Sequence, residues 1–175
     1  MACPCVSRAM TDRAKQELQR TTDAFCAALD AGKTIVGLEP SCTLMFRDEA
    51  VNLIPEWSEE HGAQILTFAE YIMQNPPAGL DVSGLDVLVH GHCHQKALGV
   101  AQHTVDAVKS VLGANAQMID SSCCGMAGSF GYQSETAEVS REMAELSLAP
   151  TVRAAPKDTV VLADGFSCRC QIKDV

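Results

Sequence analysis

The sequence predicts an α/β fold in three layers, with a mostly parallel sheet, Rossmann-like crossovers and cysteines at the C-terminal strand ends. Two patterns predict it. Short β-branched runs are apolar almost throughout, as strands covered on both faces must be. Between them, apolar residues recur every three or four positions, the period of a helix lying on such a sheet.

In chain order, the first helix is expected over residues 12–31. Leu18, Thr22, Phe25, Cys26 and Leu29 share one face, and Gly32 supplies a stop. Residues 34–38 (TIVGL) form the first strand. A second helix is expected over 63–74, with Ile65, Phe68, Ala69 and Ile72 on one face, ending before Pro76 and Pro77. Residues 76–84 (PPAGLDVSG) read as a surface loop. Strands follow at 85–90 (LDVLVH) and 116–120 (AQMID). A third helix covers 133–148 through Ala137, Ser140, Met143, Ala144 and Leu148, and a fourth strand covers 158–163 (DTVVLA). No repeat, low-complexity tract or interdomain linker breaks this pattern. It predicts a single domain over 1–175, loose at residues 1–10 and truncated at its C-terminus before a final helix.

The chain carries 13 Lys plus Arg against 22 Asp plus Glu, a net charge of −9, with 47% hydrophobic and 20% charged residues. That balance is globular rather than disordered. The acidic excess excludes a general nucleic-acid or anionic-membrane surface. No stretch approaches the ~18 apolar residues of a membrane span. The first residues lack the apolar centre of a secretion signal, so a cytoplasmic location is expected. Nine cysteines are the exception to this ordinary composition. Disulfides are not their expected use in that compartment, which leaves metal binding, redox chemistry or burial as small apolar groups.

Their placement narrows the choice. Cys42 follows the first expected strand, Cys93 the second, Cys123 and Cys124 the third, and Cys168 and Cys170 the fourth. In one parallel sheet all these segments leave from the same edge, where open α/β sheets bind ligands. A chance set of buried cysteines falls inside strands and helices instead. Thiolates are preferred ligands of zinc and of iron–sulfur clusters. The adjacent Cys123 and Cys124 diverge too much to share one tetrahedral ion easily, yet they can reach two irons of one cluster. Gly125 lets the backbone turn and approach a ligand closely. A helix beginning near Met126 or Gly128 would aim free amides at it. Zinc needs four ligands, and here five or more candidates converge.

Four ordered motifs carry a family resemblance: GLEPSC at 37–42, HGHCHQKALG at 90–99, CCGMAGSFGY at 123–132 and ADGFSCRCQI at 163–172. They resemble the cysteine-rich CCG domain of the family that unites heterodisulfide reductase with the glycolate oxidase iron–sulfur protein. The similarity is closest to the C-terminal part of FAD-linked 2-hydroxyacid oxidases of the D-lactate or D-2-hydroxyglutarate type. With the segments between them, the motifs span most of residues 33–172. The resemblance implies a 4Fe–4S cluster of unusual, noncubane type on Cys42, Cys93, Cys123, Cys124 and Cys168, or zinc in its place. It implies a cofactor-binding turn at Gly125 and FAD only on a partner or separate domain. Two departures stand out. Cys170 occupies a position where the oxidase branch carries histidine, and 43 residues separate Cys124 from Cys168, more than in the heterodisulfide reductase pattern. The chain contains neither an FAD domain nor ferredoxin-type cysteine runs, so it reads as a fragment or a separate small subunit.

Plainer readings apply elsewhere. Cys26 reads as core, and Cys3 and Cys5 as incidental. Cys170, His90, His92 and His94 are each candidates for a metal ligand or for a group orienting one, and equally for strand-end hydrogen bonding. Lys96 either neutralises thiolate charge or is simply solvated. The leading expectation is an iron–sulfur or other metal-binding electron-transfer module of an FAD-linked 2-hydroxyacid oxidoreductase, with no catalytic residue of its own. Its partners are then a flavin-containing domain or subunit and an electron acceptor. The rivals are a zinc-binding scaffold without redox activity and thiol–disulfide chemistry at the vicinal pair, which a strained ring disfavours.

Overall fold

The computed structural model describes residues 9–174. Cys3, Cys5 and most of the stretch expected to be loose lie outside the described residues. The chain divides into two compact units, Met1–Tyr71 and Ile72–Val175.

In the first unit, α1 (Thr11–Asp30) buries Ala14, Leu18 and Thr22. It lays Phe25, Cys26 and Leu29 against a cluster that includes Met45, Phe46, Ala50, Ile54, Trp57 and Ile65. Cys26 is therefore part of the core, as its helical position implies. The helix closes where expected: the Lys33 N–H reaches the Ala28 carbonyl at 3.0 Å and the Gly32 N–H reaches Leu29 at 2.8 Å. The Phe25, Phe46 and Trp57 rings pack together, Phe25 tilted on Phe46 with centroids 4.8 Å apart and Phe46 edge-on to Trp57 at 5.9 Å. The Trp57 indole N–H donates to the Phe46 carbonyl at 2.7 Å, so this fully buried ring leaves no orphaned donor. Strand β1 (Ile35–Gly37) pairs in parallel with β2 (Ile65–Thr67). Helices α2 (Pro40–Leu44), α3 (Glu49–Leu53) and α4 (Glu59–Ala63) come between them in sequence.

Strand β2 corrects the helix expected over 63–74. Ile65 and Thr67 are buried in the two-stranded sheet, and α5 (Phe68–Gln74) starts only after them. The reason lies in capping. Glu70 accepts from the Thr67 N–H at 2.8 Å, while the Glu70 N–H donates to Thr67 Oγ1 at 3.3 Å. This is a Thr-x-x-Glu capping box, and it sets the helix start at residue 68. Arg47 locks the junction from the side, donating to both Glu70 oxygens at 2.9 and 2.6 Å and to the Ile65 carbonyl.

The Glu70 carboxylate is largely buried, which alone would raise its pKa, but the bonds from Arg47 and Thr67 hold it down at about 2. A carboxylate depressed in the folded state stabilises fully above its unfolded pKa near 4.5, and the stabilisation is lost as pH falls toward 2. The drop corresponds to about 2 to 3 kcal/mol. Denaturant unfolding near pH 6 and near pH 3 checks this. The wild type should lose that increment, and Glu70→Gln, already destabilised, should lose markedly less on acidification. Equal acid sensitivity in the two proteins would rule the assignment out.

In the second unit, β3 (Asp86–His90) is the centre of a three-stranded parallel sheet, flanked by β4 (Asn115–Met118) and β5 (Val160–Ala163). Val87 pairs with both Ala116 and Val160, and Val89 with Met118 and Leu162. The strands thus fall into two sheets, one in each unit, where the sequence suggests a single one. Both faces of the larger sheet are covered. Val87 and Val89 bury against Val105, Val108, Ala114 and Ala116. Leu88 turns the other way, toward Ile119, Cys124, Met126, Leu148, Ala163 and Cys168. This is why the strand runs read as continuously apolar.

Helix α6 (Cys93–Ala97) follows β3, and α7 (Gln102–Asp106) continues into a π-helical turn at Ala107–Val111. The helix expected over 133–148 is shorter, α8 (Ala137–Glu145), and a separate helix, α9 (Leu148–Ala154), follows it. Pro150 explains the break, because in an unbroken helix its ring would clash with the Leu146 carbonyl. In the first turn of a new helix proline needs no N–H partner. Helix α10 (Phe166–Asp174) follows β5, in a segment for which no helix was predicted. Among the described residues, no helix is long and apolar enough to cross a membrane.

Candidate metal centre

All three strands of the larger sheet end on the same side, and each delivers sulfur there. The chain leaves β3 through Gly91 and His92 into α6, whose first residue is Cys93. It leaves β4 into the loop that carries Cys123 and Cys124. It leaves β5 through Asp164 and Gly165 into α10, which carries Cys168.

Each delivery has a local cause. His92 caps α6: its Nδ1 accepts from the His94 N–H at 3.2 Å, and Gln95 Oε1 accepts from the His92 N–H at 2.9 Å. These bonds satisfy free amides of the first turn and fix Cys93 at the helix start. Lys96, on the same helix, donates to the backbone carbonyls of Ser121 and Ser122, the latter at 2.9 Å. It thereby pins the segment that leads into Cys123. Burial lowers the Lys96 pKa, while the thiolates of Cys168, Cys93 and Cys123 oppose that shift.

Gly125 is forced by geometry. Its φ is +91°, and a β-carbon there would stand 2.1 Å from the Ser140 carbonyl oxygen. The turn it makes lets its own N–H donate to Cys123 Sγ at 3.3 Å. No α-helix starts at 126–128, contrary to the sequence expectation. A 3-10 turn follows at Phe130–Tyr132, and single amides of the turn reach sulfur instead, that of Gly125 at Cys123 and that of Met126 at Cys124. Gly165 makes a second close approach. A β-carbon there would lie 2.5 Å from His92 Cδ2 and 3.3 Å from both His92 Nε2 and Cys168 Sγ. Bare backbone therefore forms one wall of the site.

A polar knot holds two of these segments together. Asp164 Oδ2 accepts from Gln95 Nε2 at 2.9 Å and from Thr104 Oγ1 at 2.7 Å. It ties the segment after β3 to the segment after β5. Sequence reasoning missed Gln95, Thr104, Asp164, Gly165 and Ser121. Only Gln95 left a trace there, standing three residues after a polar cap at His92.

The sulfurs form a proton-sharing row. Cys123 accepts hydrogen bonds from Cys124 and Cys93, and Cys168 accepts from Cys124. The bond to Cys123 and then burial push the Cys93 thiol up, while bonds to Cys123 and Cys168 push the Cys124 thiol up. Cys123 is pulled down, and Cys168 settles at about 5, held there by the Cys124 thiol and by His90 against the opposing effect of burial. Cys124 and Cys168 are buried, Cys123 is half-buried and Cys93 is exposed, so the row runs from the protein interior to solvent. A soft cation entering it would displace the remaining protons.

His90 closes the buried end. A ring nitrogen of His90 and the sulfurs of Cys124 and Cys168 lie within 4.8 Å of one another, all three residues buried. This donor set, two sulfurs and one imidazole with Cys93 and Cys123 on the neighbouring strand-end segments, fits a soft or borderline metal.

Two of the other candidates, Cys170 and His94, make contacts of their own. Cys170 is two residues after Cys168 on α10, ~200° around the helix, and it bonds to the Tyr132 hydroxyl. His94 is half-exposed on α6 and contributes its backbone N–H to the cap. Cys42, in the first unit, is the third residue of α2.

No protein-family model matches the chain, and no solved structure matches it. Curated relatives do. The chain is 30% identical to D-2-hydroxyglutarate dehydrogenase of Escherichia coli (strain K12) over 169 residues, 94% of this chain and 16% of that protein. It is 30% identical to the enzyme of the same name from Pantoea ananatis over 158 residues, 89% of this chain and 15% of the relative. It is 23% identical to one of the subunits of the anaerobic glycerol-3-phosphate dehydrogenase of E. coli (strain K12) over 177 residues, covering 97% of this chain and 44% of that subunit. The chain spans about a sixth of the length of the hydroxyglutarate dehydrogenases it matches.

Proposed function

We propose that this chain, related over nearly its whole length to a segment of 2-hydroxyacid dehydrogenases, is an electron-transfer module of an FAD-linked 2-hydroxyacid oxidoreductase. In this reading an iron–sulfur cluster is held by Cys93, Cys123, Cys124 and Cys168. The observation that carries it is the convergence of four cysteines from three parallel strand ends, with Cys124, Cys168 and His90 within 4.8 Å of one another.

A cluster bound there supplies one-electron transfer. The chain's own residues do the rest. The Gly125 N–H bonds Cys123 Sγ and spreads its negative charge. Lys96 sets a cation beside the row while its bonds to Ser121 and Ser122 keep the Cys123 loop in place. Burial of Cys124 and Cys168 excludes water from the inner end, and exposure of Cys93 leaves the outer end open for electron exchange. The much longer relatives support a flavin-bearing domain or subunit as electron donor, with a separate acceptor downstream.

Anaerobic reconstitution of the full chain with iron and sulfide, followed by electron paramagnetic resonance, tests the reading. Wild type should take up iron and labile sulfide, and Cys123→Ser/Cys124→Ser should lose nearly all of both. Equal uptake by the two proteins overturns it. Cys42→Ser belongs in the same series, because the family resemblance assigns Cys42 as a ligand.

A second reading is a zinc-binding scaffold. The compact trio of His90, Cys124 and Cys168 favours it, since mixed nitrogen and sulfur donors suit zinc. Zinc at one per chain after expression, with no labile sulfide after reconstitution, decides for it.

A further inference from the structure

His90 is the last residue of β3 and is only 1% exposed. Its Nδ1 sits 2.9 Å from Ser121 Oγ. Its Nε2 is buried and has no hydrogen-bond partner among nitrogen and oxygen atoms. A buried imidazole nitrogen left without a partner is costly in an ordinary core. Here it does not face an apolar wall: the ring reaches the sulfurs of Cys124 and Cys168, within 4.8 Å.

The side of the ring away from the sulfurs is built to aim it. Ser121 Oγ stands at Nδ1, and Lys96 Nζ lies 3.5 Å from that hydroxyl while also donating to the Ser121 backbone carbonyl. With Lys96 donating to it, the Ser121 hydroxyl is placed to accept a proton carried on Nδ1. In that tautomer the Nε2 lone pair faces the sulfurs, and a metal held by Cys124 and Cys168 selects it over the tautomer in which Nε2–H donates to Cys168. Metal-ligating histidines are oriented in this way, with the second ring nitrogen donating to a fixed oxygen. His92 is the opposite case. Its Nδ1 accepts the His94 N–H, so its proton lies on Nε2 and it cannot offer a lone pair there without breaking the helix cap.

We infer that His90 is a ligand: its Nε2 donates to the metal centre that Cys124 and Cys168 hold, and Ser121, anchored by Lys96, is the residue that positions it. This rests on the metal-binding reading and deepens it, making the donor set mixed nitrogen and sulfur rather than sulfur alone. Neutral imidazole in place of an anionic thiolate leaves the bound centre less negative by one charge, and that favours its reduced state.

Loading the full chain with an NMR-active cadmium(II) isotope, in protein carrying isotope-labelled histidine, tests the assignment without any redox activity. One histidine should show scalar coupling between Nε2 and cadmium, with its Nδ1 protonated. The coupling should vanish in His90→Gln and persist in His92→Gln. His90→Gln should bind cadmium at least ~10-fold more weakly, and Ser121→Ala, which removes only the positioning hydroxyl, should weaken it less. Cadmium bound by wild type with no nitrogen coupling overturns the role of His90 and leaves the thiolate site standing. Failure of the wild type to take up cadmium, or iron with sulfide, overturns the metal reading itself. The central readout is on the wild type, so a His90 variant that fails to fold does not disable it.

Discussion

Replacing Gly125 with alanine is expected to cost about 3 to 5 kcal/mol of stability, lowering Tm by roughly 10 °C, and to abolish tight metal uptake. Two costs add. A φ of +91° is strained for any residue with a β-carbon, and that β-carbon would stand 2.1 Å from the Ser140 carbonyl oxygen, backbone that cannot swing aside. Ser140 is itself committed, because its carbonyl accepts from Gln171 Nε2 at 2.9 Å. Gln171 lies on α10, the helix that carries Cys168. Pushing Ser140 away therefore disturbs Cys123 and Cys124 directly and Cys168 through one buried hydrogen bond. Gly128→Ala is the control. Gly128 also has a positive φ, +69°, but nothing lies within 4 Å of its β-carbon position. It should cost only about 1 kcal/mol, from backbone strain alone. Thermal unfolding of the two variants side by side separates strain from collision. If they lose equal stability, the collision at Ser140 is not what demands glycine at 125.

The strand ends were readable from sequence because their cause is local. Runs such as LDVLVH are apolar on both faces, and a cysteine directly after each run is conspicuous in an otherwise ordinary composition. What failed to read was either short or long-range. Strand β2 has three residues, too few for its period to compete with the helical spacing of Ile65, Phe68, Ala69 and Ile72. Its capping signal, Thr67 with Glu70, was nonetheless present. The division of strands between two sheets depends on which runs pair, and apolar pattern alone does not encode pairing partners. Cys168 was assigned as a ligand, but the role of Cys170, two positions on in the same motif, stayed open. A helix beginning at Phe166 separates them, turning one toward the sulfur row and the other toward Tyr132. The roles of His90 and His92 were left open for a similar reason. Each is decided by what its Nδ1 meets: Ser121, 31 residues away, for His90, and the neighbouring His94 amide for His92.

Asp164 is the residue whose loss should show how far the site depends on its supports. Asp164→Ala is expected to cost about 3 to 4 kcal/mol and to weaken metal binding ~10- to 100-fold, although Asp164 touches no sulfur. One carboxylate oxygen, Oδ2, accepts from both Gln95 Nε2 and Thr104 Oγ1. Both donors belong to buried residues, so truncation strands two polar groups at once rather than returning them to water. Gln95 also holds the His92 N–H through its Oε1, so freeing its amide loosens the cap that fixes Cys93. On the other side, Asp164 directly precedes Gly165, the wall against which His92 and Cys168 both rest. The loops after β3 and β5 then move independently, and thiolates from separate loops lose the preorganisation that makes their joint binding tight. Asp164→Asn makes the test specific. Its amide oxygen can still accept both bonds, now without charge, and charge-assisted bonds are roughly twice as strong as neutral ones. It should therefore retain about half of the lost stability and most of the metal affinity. Denaturant unfolding and cadmium titration of the three proteins give the ranking directly. If Asn behaves like Ala, charge rather than the shared hydrogen bond is the function of this carboxylate. If Ala matches wild type, the knot does not hold the site together.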